Sequence, residues 1–157
     1  EVPFDKVDIY EVAKECVAML KVSASKMNID LKLQGEPCKI NGNKALIEEL
    51  IMNLCDNAIR YNNMGGSVLV RIRQAHGQVE LSVKDTGIGI SEENQKRIFE
   101  RFYRVDKSRS KLTGGTGLGL AIVKHIVVQH HAKMNITSEV GKGTEIIVCF
   151  ETVQSGT

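Results

Sequence analysis

The chain has 157 residues, 42% of them apolar and 25% charged, with a formal net charge of +2. That size and apolar content predict a single domain with a real hydrophobic core, outside the disordered range. The near-neutral balance lacks the basic stripe of a nucleic-acid binder, and no aromatic residues are interleaved with basic ones, so no nucleic-acid partner is expected.

In chain order, Phe4 to Asp8 reads as a short strand or lead-in. Val12, Cys16, Met19 and Leu20 recur at helical spacing, with Ser23 and Met27 extending the stripe. Ile29, Leu31 and Leu33 alternate as in a strand, Gly35-Glu36-Pro37 breaks it, and a brief second strand is expected from Cys38 to Asn41. A long helix is predicted over 43–62, ended by Asn63-Met64-Gly65-Gly66. Val68, Val70 and Ile72, a turn at His76-Gly77, then Val79, Leu81 and Val83 read as a hairpin. Residues 87–116 lack a long periodic element, which in a compact domain points to a lid or binding loop. Ser91 followed by Glu92 and Glu93 predicts one short helix within it. Leu118 to Val128 is apolar on nearly all sides and predicts a central buried helix. Strands near 134–138 and 144–150 close the chain around Gly141-Lys142-Gly143. Strands outnumber helices and do not alternate with them regularly. The predicted fold is therefore α+β, a two-layer sandwich of one mixed sheet of about five strands on three helices.

Cys16, Cys38, Cys55 and Cys149 form no C-x-x-C pair and no zinc spacing with histidine, so reduced, mostly buried thiols of a cytosolic protein are expected. No apolar run approaches the roughly 20 residues of a membrane span, and no signal peptide is present. The chain opens at Glu1 without a methionine. It is therefore expected to be part of a longer protein, with any membrane anchor upstream.

Three segments carry candidate chemistry. On the 43–62 helix, Asn57 falls roughly 20° from Leu46 and Leu50 and so lies inside the apolar face, with Asn53 one turn earlier at its edge. A buried amide left unpaired costs on the order of 1–3 kcal/mol. Such an asparagine either bonds nearby backbone or turns its oxygen to a ligand, and a neutral amide oxygen suits Mg²⁺ that shares its charge with phosphates. Arg60 could pair with phosphate and Tyr61 could flank a base or sugar. Next, DTGIGI runs from Asp85 to Ile90 at a strand end, with Gly87 and Gly89 permitting close backbone approach. Asp85 is either a turn carboxylate or an acceptor for the exocyclic amine that adenine carries and guanine lacks at that position. Third, GGTGLGL (Gly114 to Leu120) precedes the apolar helix, so its N–H groups and the helix N-terminus can meet an anion. It is neither a P-loop nor a complete dinucleotide fingerprint, and a hinge would explain it as well. Between the last two lies IFERFYRVDKSRSK (Ile98 to Lys111). There Ile98, Phe99 and Phe102 would pin the lid, and Arg101, Arg104, Lys107, Arg109 and Lys111 would clamp phosphates on closure.

The strings NLCDNAIRY, DTGIGI, RIFERFYRVD and GGTGLGLAIVKHIV, in this order, resemble the N, G1, F and G2 boxes of bacterial sensor histidine kinases. The likeness covers essentially the whole chain and is similar to phosphate-regulon and cell-wall sensor kinases of Gram-positive bacteria. It implies the Bergerat-type ATP fold shared with gyrase, Hsp90 and MutL. By position it implies that Asn57 ligates Mg²⁺, that Asn53 contacts phosphate or metal-bound water, and that Arg60 and Arg104 contact phosphates. Tyr61 would lie near base and ribose, Asp85 on the adenine amine, and Gly87 and Gly89 along the base pocket. Gly115, Thr116, Gly117, Leu118 and Gly119 would pass the phosphates, and Thr144 would support the adenine site with a water. His130 to Lys133, HHAK where the family has His-Gly-Gly, is expected to change a turn without loss of chemistry.

The resemblance also implies which reaction to expect. Gyrase-like relatives place a water-activating glutamate where this chain has Asn53, and an amide cannot take that proton, so intrinsic ATP hydrolysis should be slow. None of His76, His125, His130 and His131 stands in an H-E-x-R-x-P-like context. His76 is expected in the hairpin turn and His125 packed on or near the buried helix. The phosphoacceptor histidine would lie on a separate dimerisation hairpin, leaving this chain monomeric and unable to phosphorylate itself. A response regulator would be the downstream partner, and the full-length protein would be membrane-anchored with this domain in the cytoplasm. An anti-sigma-type serine kinase and a non-catalytic ATP-gated binding module stay open as alternatives.

Overall fold

The computed structural model describes residues 2–98 and 119–152. The elements are β1 (Asp5–Asp8), α1 (Ile9–Lys26), β2 (Asp30–Gly35), β3 (Lys39–Gly42), α2 (Lys44–Arg60), β4 (Ser67–Ala75), β5 (Gln78–Asp85), α3 (Glu92–Gln95), α4 (Gly119–Gln129), β6 (Lys133–Glu139) and β7 (Gly143–Glu151). The main sheet has five strands in the order β2-β4-β5-β7-β6, while β1 and β3 form a separate antiparallel pair. Only β2 and β4 run parallel; the other neighbours in the main sheet are antiparallel, so it is mixed. The expected two-layer sandwich is what forms: α1, α2 and α4 cover one face of this sheet.

Local chemistry sets the helix ends. Asp8 caps α1, its Oδ1 accepting from the N–H groups of Tyr10 (3.1 Å) and Glu11 (3.3 Å). Asn43 caps α2 by accepting from Leu46 N–H at 3.0 Å. The helix predicted over 43–62 thus runs over 44–60, with Asn43 and Tyr61 as its caps. Its face of Ile47, Leu50, Ile51 and Leu54 is buried almost completely, each side chain contributing roughly 1.5–3 kcal/mol. On α1 the stripe is wider than expected: Ala13, Val17 and Ala24 are buried, whereas Met19 is 58% exposed and Ser23 is exposed. The β4–β5 hairpin turns at His76 (φ 54°) and Gly77 (φ 73°), as anticipated.

Helix α4 differs from the central buried helix that its composition predicts. Val123, Ile126 and Val127 are buried, but Val128 is 63% exposed and His125 points to solvent instead of packing. An apolar sequence on all sides cannot reveal which side faces the core, because the pattern carries no amphipathic phase. The helix packs on α2 in an antiparallel sense. Its first residue, Gly119, lies against Asn53 and Asn57, and His130, just past its end, reaches Asn43 at the start of α2. His130 is held on every side. Its Nδ1–H donates to Ile126 O at 2.8 Å, its Nε2 accepts from Asn43 N–H at 3.1 Å, and its ring stacks on Phe4 at 4.7 Å and meets Phe150 edge-on. Its neighbour His131 sits at φ 53°, a left-handed position at the helix end that glycine usually takes.

Cys16, Cys38 and Cys55 are buried and Cys149 is half-buried, all as free thiols. Burial pushes Cys16 up to about 12 and Cys38 to about 11, and raises Cys55 further, so these thiols stay protonated. Among the described residues, no helix is long and apolar enough to cross a membrane.

Candidate functional site

Strand alternation builds one side of the site. Along β5, Val79, Leu81 and Val83 face the helices, and Asp85 takes the next inward position at the strand end. On β7, Thr144 precedes Ile146, Val148 and Phe150 on the inward face; on β6, Ser138 follows Met134 and Ile136. The registers Lys84↔Glu145 and Ser138↔Thr144 align these ends. Three adjacent strands thus carry a carboxylate and two hydroxyls in one row where the apolar core ends.

Asp85 is tied down through one oxygen. Its Oδ1 accepts from Gly87 N–H at 2.8 Å and from Thr144 N–H at 3.2 Å. Among the described residues no hydrogen bond reaches Oδ2, which leaves a fixed acceptor for a ligand. Burial pushes the Asp85 carboxyl up to about 6, against the lowering effect of those two N–H bonds.

The chain after Asp85 is bound on both flanks. Ile88 N–H donates to Tyr61 O (3.0 Å), and Gly141 N–H to Ile88 O (2.8 Å). A methyl group on Gly87 would collide with the Tyr61 carbonyl, and one on Gly89 with the Glu139 carbonyl. Both glycines are therefore required by close backbone approach. Gly89 also has φ 75°.

The other side of the site is α2. Asn53, Asn57 and Tyr61 stand four residues apart, so they form one line with about 6 Å between members along the axis. Tyr61, at the lower end, touches the Asp85 loop as just described. Asn57 Nδ2 donates to Asn53 O (3.0 Å), and Asn53 Nδ2 donates to Glu49 O (2.8 Å). Each amide spends its nitrogen on the preceding turn, which turns its oxygen away from the helix as an acceptor. A Cβ on Gly119 would lie 3.1 Å from Asn53 Oδ1 and 3.1 Å from Asn57 Nδ2. The first turn of α4 is thus in contact with both amides. Arg60, expected at phosphate, makes a 2.7 Å ion pair with Asp56 one turn earlier.

These placements bring together Asn53, Asn57 and Gly119 at one end, and Tyr61, Asp85, Gly87, Gly89 and Thr144 at the other, with α2 joining them. Arg104, Gly115, Thr116, Gly117 and Leu118 lie outside the described residues, as do Phe99, Phe102 and the remaining lid cations. Of the 87–116 lid, α3 forms where predicted, with Ser91 Oγ accepting from Asn94 N–H (3.2 Å), and Ile98 is buried. Sequence reasoning missed Ser138, Gln95 and Asn62. Asn62 is fully buried, donates to Ser67 O (2.9 Å) and accepts from Asn63 N–H (2.8 Å), which shapes the turn beneath Gly87. Only the strand alternation ending on Ser138 could have flagged it; nothing local marks Gln95.

A carboxylate with a free oxygen at one end of a helix, two outward amide oxygens further along it, and a glycine at the facing helix N-terminus define a nucleotide-binding domain of the α/β-sandwich type. Among the described residues no cluster of three or more His, Cys, Asp or Glu side chains could hold a metal. The neutral amide oxygens of Asn53 and Asn57 are of a kind that suits Mg²⁺ bound mainly by phosphate and water.

Comparison with known proteins agrees. The model of the histidine kinase-, DNA gyrase B- and HSP90-like ATPases matches residues 42–154. The sensor-like histidine kinase SenX3 of Mycolicibacterium smegmatis is 41% identical over 141 residues, covering 89% of this chain and 37% of that protein. The phosphate regulon sensor protein PhoR of Pseudomonas aeruginosa is 41% identical over 128 residues, covering 81% of this chain and 29% of that protein. Among solved structures, the mycobacterial sensor histidine kinase MprB superposes with a TM-score of 0.83 at 28% identity, covering 96% of this chain and 98% of that one. Full-length ShkA in complex with AMPPNP superposes with a TM-score of 0.83 at 26% identity, covering 99% of this chain and 33% of that one. The chain belongs to the family of histidine kinase-, DNA gyrase B- and HSP90-like ATPases, and within it to the ATP-binding catalytic domains of sensor histidine kinases. It spans roughly a third of the length of the curated relatives it matches. None of these relatives favours the serine-kinase or binding-module alternatives.

Proposed function

We propose that this domain binds Mg-ATP along α2 and delivers the γ-phosphoryl group to a histidine on a separate helical hairpin of a longer sensor kinase. The observation that carries this reading is the opposed pair of acceptors. Asp85 Oδ2 stands at the Tyr61 end of α2, and the Asn57 and Asn53 oxygens stand one and two turns away. The adenine amine would donate to Asp85, and Tyr61 would flank base and ribose. Asn57 would hold Mg²⁺, with Asn53 beside it on phosphate or metal-bound water. Magnesium, when bound, would neutralise phosphate charge.

The protein's own work is positioning. The N–H groups opening α4 at Gly119, with Gly115, Thr116, Gly117 and Leu118 before it, would meet the phosphates. Arg60 and Arg104 would add positive charge there. Asn53 cannot act as a general base near neutral pH, so water attack stays slow and the phosphoryl group is kept for the acceptor. The acceptor hairpin and a response regulator are the partners of this reading. The domain itself would be monomeric and cytoplasmic, in a protein anchored in the bacterial membrane. The likeness to ShkA, solved with AMPPNP, supports the nucleotide assignment.

The test supplies the acceptor hairpin of the full-length protein together with Mg-ATP and assays acid-labile, base-stable phosphohistidine. Its appearance with this domain, and its loss in Asn57→Ala, is the expected result. Phosphoserine, or ATP binding with no transfer to the hairpin, would refute the histidine-kinase assignment.

A further inference from the structure

The β4–β5 ladder closes on a side chain. Its register pairs Val68 with Asp85, which makes Ser67 and Thr86 the next pair. Thr86 N–H donates to Ser67 O at 3.2 Å, as a strand partner would. The return bond goes elsewhere. Ser67 N–H donates to Thr86 Oγ1 at 2.9 Å, so the hydroxyl stands in for the carbonyl that would complete the pair. Both polarities are fixed, because a backbone N–H can only donate. The Thr86 carbonyl instead accepts from Asn63 Nδ2 at 3.3 Å. That carbonyl and the Gly87 N–H belong to one planar peptide unit. With the carbonyl turned out of the ladder, the Gly87 N–H donates to Asp85 Oδ1 at 2.8 Å.

We propose that Thr86 is a positioning residue for the base end of the site: its hydroxyl takes the Ser67 N–H and so holds the 86–87 peptide in the orientation that fixes Asp85 toward a ligand. The inference rests on the ATP-binding reading and deepens it. Asn62 backs the hydroxyl. Its Nδ2 donates to Ser67 O (2.9 Å), which sets the amide's orientation, and its Oδ1 lies 3.4 Å from Thr86 Oγ1. A Cβ on Gly66 would strike both oxygens, so the chain closes over them on that side. Without the hydroxyl, the Ser67 N–H can be met by the carbonyl of residue 86. That requires the peptide to rotate, which carries the Gly87 N–H off Asp85 Oδ1. Of its two backbone holders the carboxylate then keeps Thr144 N–H alone.

The experiment measures Mg-ATP binding by calorimetry to the unmodified chain, Thr86→Val, Thr86→Ser, Asp85→Asn, and the Thr86→Val/Asp85→Asn double variant. Thr86 is exposed and valine matches its shape, so the variants should fold. Thr86→Val is expected to bind about tenfold more weakly, the scale of one lost hydrogen bond, while Thr86→Ser stays within about twofold of the parent. In the Asp85→Asn background, Thr86→Val should weaken binding no further, because its effect passes through that carboxylate. Amide hydrogen exchange at Gly87 should quicken in Thr86→Val and not in Thr86→Ser. General loosening of the turn would instead weaken binding by the same factor in both backgrounds. That equal loss, or an unchanged affinity in Thr86→Val, overturns the proposal alone. Failure of the unmodified chain to bind ATP, or of Asp85→Asn to weaken it, overturns the ATP reading and this inference together.

Discussion

Asn57 donates its amide nitrogen to the carbonyl of Asn53, 3.0 Å away, and so holds its own oxygen away from the helix that carries it. If that oxygen is a magnesium ligand, Asn57→Ala should abolish the gain in ATP affinity that Mg²⁺ gives and leave the Mg²⁺-free affinity nearly unchanged. Calorimetric titrations with and without Mg²⁺ measure the difference. Equal Mg²⁺ dependence in both proteins would remove Asn57 from that role.

Gly119 separates binding from stability. A methyl group there would come within 3.1 Å of both asparagine side chains, while replacing glycine by alanine in a helix contributes up to about 1 kcal/mol. Gly119→Ala should therefore lose Mg-ATP affinity by about tenfold while its stability moves by no more than about 1 kcal/mol in either direction. Thermal unfolding and nucleotide titration on one preparation check both halves.

Asp85 gives a prediction whose sign depends on pH. Its folded-state pKa is raised from 3.8 to about 6, so between those values the folded chain keeps a proton that the unfolded chain has lost. The contribution of this group to stability is complete below about pH 4 and declines as pH rises through 6. Asp85→Asn keeps an oxygen for Gly87 and Thr144 but has no charge to bury. Near pH 8 without nucleotide it should be more stable than the parent by about 1 kcal/mol, or roughly 2–4 °C in Tm. The gap should close near pH 4. The same substitution should weaken ATP binding roughly five- to hundredfold at pH 8, because an amide nitrogen replaces the acceptor. A lower Tm at pH 8, or unchanged ATP affinity, would contradict this account of the pocket.

His131 offers a stabilising change remote from the site. At φ 53° it adopts a conformation that costs L-residues with a Cβ roughly 1–2 kcal/mol. His131→Gly should raise stability by about 0.5–1 kcal/mol, after glycine's larger chain entropy is counted. Nucleotide affinity should not move. Denaturant midpoints compare the two proteins.

The fold class was legible because period-two and helical stripes are physically distinct, and the alternation Val79, Leu81, Val83 already points Asp85 inward. Asn57 was legible for the same reason, as an amide inside an apolar face. The buried side of α4 is not legible because uniform apolarity carries no phase, and His125, expected packed on or near that helix, is exposed. Ser138 and Gln95 carry no local signal, because strand register and a loop crossing join residues 48 and 43 positions apart. The Asp56–Arg60 pair follows from its i, i+4 spacing on one helix.

The imidazole of His130 fastens the start of α2 to the end of α4, and Gly42 is small because that ring fills the space above it. Two antiparallel rods pinned at one end can part only by swinging about the pin. If a nucleotide enters between Asn53 and Gly119, the widening is then expected to be angular, greatest near Gly119 and smallest at Asn43. A pair of spectroscopic labels at the pinned end would report a constant separation through the whole binding cycle.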